Sequence, residues 1–360
     1  MNQSDMPTQP FPLILSFPEM GTVKCRLSVF MEGKMRSAYM LNIRRFVQGT
    51  DEDVWVSVWN RAFVEFDEFR SMSVEDMRVS EENPAFDATG MFIAELDGEP
   101  VGIVNARVDK MREEKKGFVR MLGVVPEFRR RGIGLELAQN AIESLRERGM
   151  QTAEAEVDMA KPEGLGLFES MGFERVRVSS LMKMSLGNIP SGIGENRDVQ
   201  LRKFQKGSVE DLKLMTWLTN ETFKEHYNWR PLTVEELQYL MEDEPRFRAQ
   251  GHLFVLSEGK PVGFVAVGID REYNKERNTR LGWIHSIGVL KQNRLRGIGT
   301  RLMIEGMRLL KAKGMTGVIL GVDDQNPTKA IRLYEKLGFK VTKKDLALRK
   351  NIAQAVRLHT

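Results

Sequence analysis

The stretch Ile287-Gly288-Val289-Leu290-Lys291-Gln292-Asn293-Arg294-Leu295-Arg296-Gly297-Ile298-Gly299-Thr300 decides how the rest of the chain is read. Apolar residues alternate up to Val289, as in a half-buried strand. A basic loop with two glycines follows, and Arg301 to Leu310 carries apolar residues at helical spacing. A strand, a tight basic loop and a helix start together aim several backbone N–H groups at one point. The helix dipole adds positive potential there, and glycine lets an anion approach the main chain. A nucleoside-triphosphate loop would need lysine after the second glycine, where Thr300 stands, and the dinucleotide fingerprint needs glycine spacings that are absent.

About a helix and a strand later come Val318-Ile319-Leu320-Gly321-Val322, then Asp323-Asp324-Gln325-Asn326-Pro327, then Ala330-Ile331-Arg332-Leu333-Tyr334-Glu335-Lys336-Leu337-Gly338-Phe339. The combination resembles the GNAT acetyl-CoA-dependent N-acetyltransferases. The resemblance implies that Arg294, Arg296, Gly297, Gly299 and Thr300 hold the coenzyme A pyrophosphate. It also implies that Ile287 and Val289 bind the pantetheine arm through their backbone, that Asn326 helps close the site, and that Tyr334 protonates the departing thiolate.

The chain has 360 residues, 41% hydrophobic and 29% charged, enough for two ordinary domains with a soluble balance. No apolar run approaches the roughly 20 residues of a membrane-spanning helix. Phe11 to Phe17 is short, broken by proline and a poor signal peptide. Cys25 is the only cysteine, which excludes an intrachain disulfide or a cysteine-based metal site; no metal is expected, and a reducing, cytoplasmic home fits. A net charge of +4, with Arg and Lys gathered at two glycine loops, suits a phosphate-rich cosubstrate better than a nucleic acid.

From Asn42 the chain repeats itself. Asn60-Arg61-Ala62-Phe63 answers Asn220-Glu221-Thr222-Phe223, and Ser73-Val74-Glu75-Asp76 answers Thr233-Val234-Glu235-Glu236; the latter pair reads as helix caps. Gly98 to Gly102 answers Gly259 to Gly263, each a hairpin turn. Arg129-x-x-Gly132-Ile133-Gly134 answers the second loop, and Leu167-Phe168 to Phe173 answers Leu333-Tyr334 to Phe339. Such a repeat, in register throughout, predicts one mixed α/β fold written twice. The expected division is an irregular extension over 1–40, a first GNAT-type domain over 41–186, a linker over 187–197 and a second domain over 198–352.

The copies differ where chemistry is needed. Amine acetylation requires a proton acceptor for the amine, a donor for the oxyanion and an acid for the thiolate. The position of Tyr334 is Phe168 in the first copy, which has no proton to give, and Asn326 has no counterpart. Yet Leu122, Val124, Arg129, Gly132 and Gly134 keep the elements that the resemblance assigns to coenzyme binding. The first copy is therefore expected to bind acetyl-CoA but to be catalytically degenerate, and the second to be active. As general base, His285 is the expectation: it lies two residues before Ile287, reads as sharing one strand face with Trp283, Ile287 and Val289, and titrates near neutral pH if unperturbed. Asp323, Asp324 and a water chain are its rivals. Mycothiol synthases, also tandem GNAT enzymes, resemble this arrangement, but their strand glutamate after a glycine is Trp283 here. The expected function is acetyl transfer from acetyl-CoA to a primary amine in a ternary complex. A small-molecule acceptor is favoured over protein N-termini or lysines, and a silent acetyl-CoA sensor is the alternative. No membrane partner is expected, and the oligomeric state is unread.

Overall fold

The computed structural model describes residues 23–31, 34–190, 199–244 and 249–353, with side chains from 40 onward except at 249 and 250. The first repeat runs β1 (Val23–Met31), β2 (Lys34–Arg45), α1 (Glu52–Ala62), α2 (Val74–Glu81), β3 (Met91–Leu96), β4 (Glu99–Val108), β5 (Lys116–Val124), α3 (Ile133–Glu147), β6 (Thr152–Asp158), α4 (Pro162–Ser170) and β7 (Glu174–Ser185). The second runs β8 (Val199–Lys203), α5 (Val209–Phe223), α6 (Val234–Glu242), β9 (Ala249–Ser257), β10 (Lys260–Gly268), α7 (Arg271–Glu276), β11 (Leu281–Val289), α8 (Ile298–Ala312), β12 (Gly317–Asp323), α9 (Ala330–Leu337) and β13 (Lys340–Asn351). Apart from β1 and α7, the orders match. The extension expected to be irregular over 1–40 carries strand from Val23 to Met31, and β2 already begins at Lys34; the two pair as an antiparallel hairpin. Cys25 falls within β1. Residues 191–197 of the expected linker, and residue 198 after it, lie outside the described residues.

Local chemistry accounts for the matching ends. Ser73 and Thr233 each close a capping box, with Asp76 and Glu236 returning the bond to the cap N–H. The β3–β4 turn places Asp97 and Gly98 at φ 51° and 87°, and the β9–β10 turn places Glu258 and Gly259 at 51° and 73°. Left-handed values at both central residues suit the right-handed twist of a two-residue hairpin.

All described strands form one sheet of order β1-β2-β3-β4-β5-β6-β13-β7-β12-β11-β10-β9-β8. The last strand of each repeat is exchanged. β13 pairs with β6 of the first repeat and β7 with β12 of the second, and the two meet antiparallel at the centre. The cores follow the exchange. Leu346 and Leu348 of β13 are buried with Leu137, Leu145 and Phe168, while Met182 and Met184 of β7 are buried with Leu302, Leu310 and Tyr334. The repeats are thus covalently sequential but not separable as sheets.

Candidate active site

Each site begins where two parallel strands part. β5 and β6 are paired only from Lys116–Thr152 to Val119–Ala155, and β11 and β12 only from Leu281–Gly317 to Trp283–Ile319. Beyond those points the facing edges of Leu122, Val124, Ile287 and Val289 lose their parallel neighbour. The strand face also changes there. A side chain at Gly282 would strike Leu310 of α8, whereas one at Gly288 would strike Thr222 of α5. Two residues separated by six should share a face, so one extra residue lies between them. The ladder with β10 shifts between Ala266–Ser286 and Val267–Ile284, which makes His285 the bulge. The first repeat shows the same inversion, with Gly117 facing Leu145 of α3 and Gly123 facing Phe63 and Ala62 of α1. Trp283 and His285 therefore do not share a face with Ile287 and Val289, contrary to the alternation read from the sequence.

The loops after β5 and β11 are near copies. Arg130 and Leu295 have φ 63°, and Gly132 and Gly297 have φ 84° and 78° as helix N-caps without a side-chain cap. The first main-chain bond closing the α8 turn is Arg301 N–H to Gly297 O at 3.0 Å. The N–H groups of Ile298, Gly299 and Thr300 precede it and point out of the helix start, the arrangement that suits a phosphate. The leading arginines hold the loop instead of standing in it. Arg294 Nε donates to Val289 O at 3.1 Å, and its other nitrogens reach Thr222 O at 3.4 Å and Glu225 at 3.3 Å. Arg129 does the same with Val124 O, Ala62 O and Glu65. Arg296 is exposed on the loop surface. In the first repeat these parts, with Phe66, Asp158, Lys161, Lys343 and Asp345, line a cleft of about 1220 Å³.

Tyr334 and Phe168 occupy the same place, each buried and packed against the phenylalanine five residues on. Burial pushes the Tyr334 phenol up to about 12, so it keeps its proton throughout the neutral range. Asn326 is spent on its own loop: its Oδ1 accepts from the N–H and hydroxyl of Thr328 at 2.8 and 2.7 Å, and its O accepts from Lys329 N–H. His285, the expected base, is half-buried in the strand bulge. Its ring lies parallel to Trp283 at 6.1 Å, and burial, then the nearby His252, lowers it to about 3. It is neutral through the physiological range and does not titrate near pH 7. The rival carboxylates are engaged. Arg177 grips Asp323 with Nε at 2.9 and 3.1 Å and a terminal nitrogen at 2.7 Å, and Lys344 pairs with Asp324 at 2.9 Å.

Two features were not legible in the sequence. Arg177 belongs to the first repeat but arrives on the exchanged β7, and its counterpart Lys343 arrives on β13 beside Asp158. Each acceptor-side loop is also pinned by the opposite repeat. Arg277 donates to Phe66 O and Phe69 O, while Tyr227 and Asn228 bond to Glu154 of β6 and Arg230 pairs with Asp109. Pairs this remote in sequence leave no local signal.

The described residues contain no cluster of His, Cys, Asp or Glu suited to a metal ion, and no helix long and apolar enough to cross a membrane. Comparison with known proteins follows this geometry. The chain is 27% identical over 267 residues to a mycothiol acetyltransferase of Actinosynnema mirum, covering 73% of this chain and 84% of that one. It is 35% identical over 138 residues to the enzyme of that name from Thermomonospora curvata, covering 38% of this chain; the match spans about half (46%) of that relative. A GCN5-related N-acetyltransferase from Sphaerobacter thermophilus shares the fold at TM-score 0.66 and 22% identity, covering 89% and 98% of the two chains. A tandem GNAT protein from the clavulanic acid biosynthesis pathway does so at TM-score 0.67 and 17% identity, covering 88% and 99%. The pattern of the acetyltransferase (GNAT) family matches twice, over residues 55–173 and 213–339. With two parted strand pairs, two glycine loops and both repeats matched, this chain belongs to the GNAT acetyltransferases, enzymes that take acetyl-CoA as cosubstrate.

Proposed function

We propose that the protein transfers the acetyl group of acetyl-CoA to the primary amine of a small molecule, by direct attack in a ternary complex formed in the second repeat. The observation that carries this reading is the exchange of one hydroxyl. Tyr334 and Phe168 sit at equivalent, buried places behind equivalent loops, and only the tyrosine can protonate a thiolate. The parted edges at Ile287 and Val289 take the pantetheine arm. The N–H groups from Gly297 to Thr300 take the pyrophosphate, with Arg294 bracing the loop, Arg296 adding positive charge and Asn326 fixing the turn before α9. In the first repeat Leu122, Val124, Arg129, Gly132 and Gly134 build the same half of a site, so acetyl-CoA binds there without efficient turnover. The small-molecule acceptor is supported by the named activity of the relatives and by the aromatic loop Phe223 to Trp229. Transfer of the acetyl group to protein N-termini or lysines, or a silent sensor role, has no specific observation in its favour.

Isothermal titration with coenzyme A tests the binding half of this reading. Two sites of unequal affinity are expected, the second lost in Gly297→Glu and the first in Gly132→Glu. A single site untouched by Gly132→Glu would remove the first repeat from binding. Thiol release from acetyl-CoA over a pooled amine library tests the chemistry, and full turnover by Tyr334→Phe would end it.

A further inference from the structure

Chemistry in the second repeat needs a group to accept the amine proton, and the half-buried His285, with its pKa lowered to about 3, is poorly suited to it. The loops after α1 and α5 supply another candidate. Asn60 exchanges two hydrogen bonds with the Met72 backbone at 2.9 and 2.8 Å, and Asn220 does the same with Leu232 at 3.0 and 2.9 Å. The turns they anchor are alike: Phe66 N–H donates to Phe63 O and Phe69 N–H to Phe66 O, as His226 N–H does to Phe223 O and Trp229 N–H to His226 O. Phe66 forms part of the wall of the first cleft. By the matching turn, His226 holds the equivalent backbone position in the second repeat.

Its surroundings agree. The imidazole lies against Phe223, ring centroids 4.5 Å apart, and the charged groups around it are Asp323 at the end of β12, Arg294 in the glycine loop, Glu225 beside it and Arg177 from β7. The ring thus lies within electrostatic reach of the glycine loop and of the end of β12. No described residue hydrogen-bonds its ring nitrogens. Burial lowers its pKa below the usual histidine value, which the attraction of Asp323 only partly offsets, so the ring is neutral and able to accept a proton at pH 7.

We propose that His226 is the proton acceptor for the attacking amine in the second repeat, a role resting on the reading that this repeat performs the chemistry. The amine nitrogen bonds to the thioester carbon, and its surplus proton passes to an imidazole nitrogen of His226. As the carbon–sulfur bond breaks, the thiolate takes the Tyr334 proton. Solvent then returns one proton from His226 to Tyr334, and N-acetylated amine and free coenzyme A leave.

The sequence contains four histidines, so imidazole signals of the histidine-labelled full chain are separable by NMR, with His226→Gln assigning one. Saturating coenzyme A is expected to move the His226 signal, and Gly297→Glu to abolish the movement. An unmoved signal in wild type, with the Gly297-dependent site filled in the same sample, overturns the proposal. In thiol-release kinetics, His226→Gln and His226→Phe should lower kcat about 10²-fold or more and remove the acid limb of the rate profile, with the KM for acetyl-CoA unchanged. The phenylalanine variant carries the first repeat's own residue and keeps the ring packing, which guards against misfolding. An intact acid limb in both variants, with Tyr334→Phe inactive, sinks His226 alone. Full turnover by Tyr334→Phe and Gly297→Glu sinks the second-repeat reading and this proposal with it.

Discussion

The two repeats present the same glycine loop, the same uncapped helix start and the same parting of parallel strands, and they differ in the side chains held at a few equivalent positions. The first places Phe66, Phe168 and Arg120 there, with Lys343 shared among Glu68, Asp158 and Asp345. The second places His226, Tyr334 and Asp323, the last fixed by Arg177. Binding of a phosphate-rich cosubstrate depends on backbone geometry, which survives side-chain change. Proton transfer depends on single side-chain atoms, which do not. A duplicated fold therefore loses turnover more readily than affinity.

The largest effect that would sharpen this contrast is on turnover. Tyr334→Phe should lower kcat by roughly 10²-fold or more, the scale of a general acid, with coenzyme A affinity nearly unchanged. The reciprocal Phe168→Tyr should add no activity, because Phe66 still offers no proton acceptor. Turnover gained by Phe168→Tyr alone would show that the difference between repeats is a single hydroxyl.

Next in size is a test of the strand exchange. Leu348 is fully buried, in the first repeat's core, although it belongs to the second repeat's last strand. Leu348→Ala should cost about 2–5 kcal/mol, as large-to-small core changes do. Coenzyme A titration and denaturant unfolding should show the loss at the Gly132-dependent site before the Gly297-dependent one. The reverse order would mean that the exchanged strand serves its own repeat.

A smaller effect is expected from Arg177→Ala. The pair with Asp323 is partly exposed, so its loss should cost only about 1 kcal/mol of stability. The same change frees Asp323 and unseats the cation 4.8 Å from the Tyr227 ring. The KM for the amine should therefore rise while coenzyme A affinity holds, and Lys at this position should restore only part because it lacks the planar fork. Equal losses for both substrates would assign Arg177 to folding alone.

The smallest expected effect concerns His285. With burial lowering its pKa to about 3, the ring is neutral from about pH 5 upward, so His285→Gln should leave the shape of the rate profile between about pH 5 and 9 unchanged. A limb lost in that variant would return the proton-accepting role to this strand.

Local patterns carried much of this molecule in the sequence. Periodicity placed β11 and α8, capping boxes placed α2 and α6, glycine-bearing turn stretches placed the hairpins, and the repeat gave a mixed fold written twice, because each of these signals lies within a few residues of chain. The glycine loops and the contrast of Tyr334 with Phe168 were legible for the same reason. What only the tertiary structure decided is pairing at long range. One bulged residue at His285 turned Ile287 and Val289 to the opposite face, since a shift of one inverts every side chain beyond it. Burial against Trp283, not residue type, removed His285 from the neutral range. The exchange of β7 and β13 brought Arg177 to Asp323, Lys343 to Asp158 and Arg349 to Tyr227. No local spacing encodes these meetings, because they depend on which strand lies beside which after the whole sheet has formed.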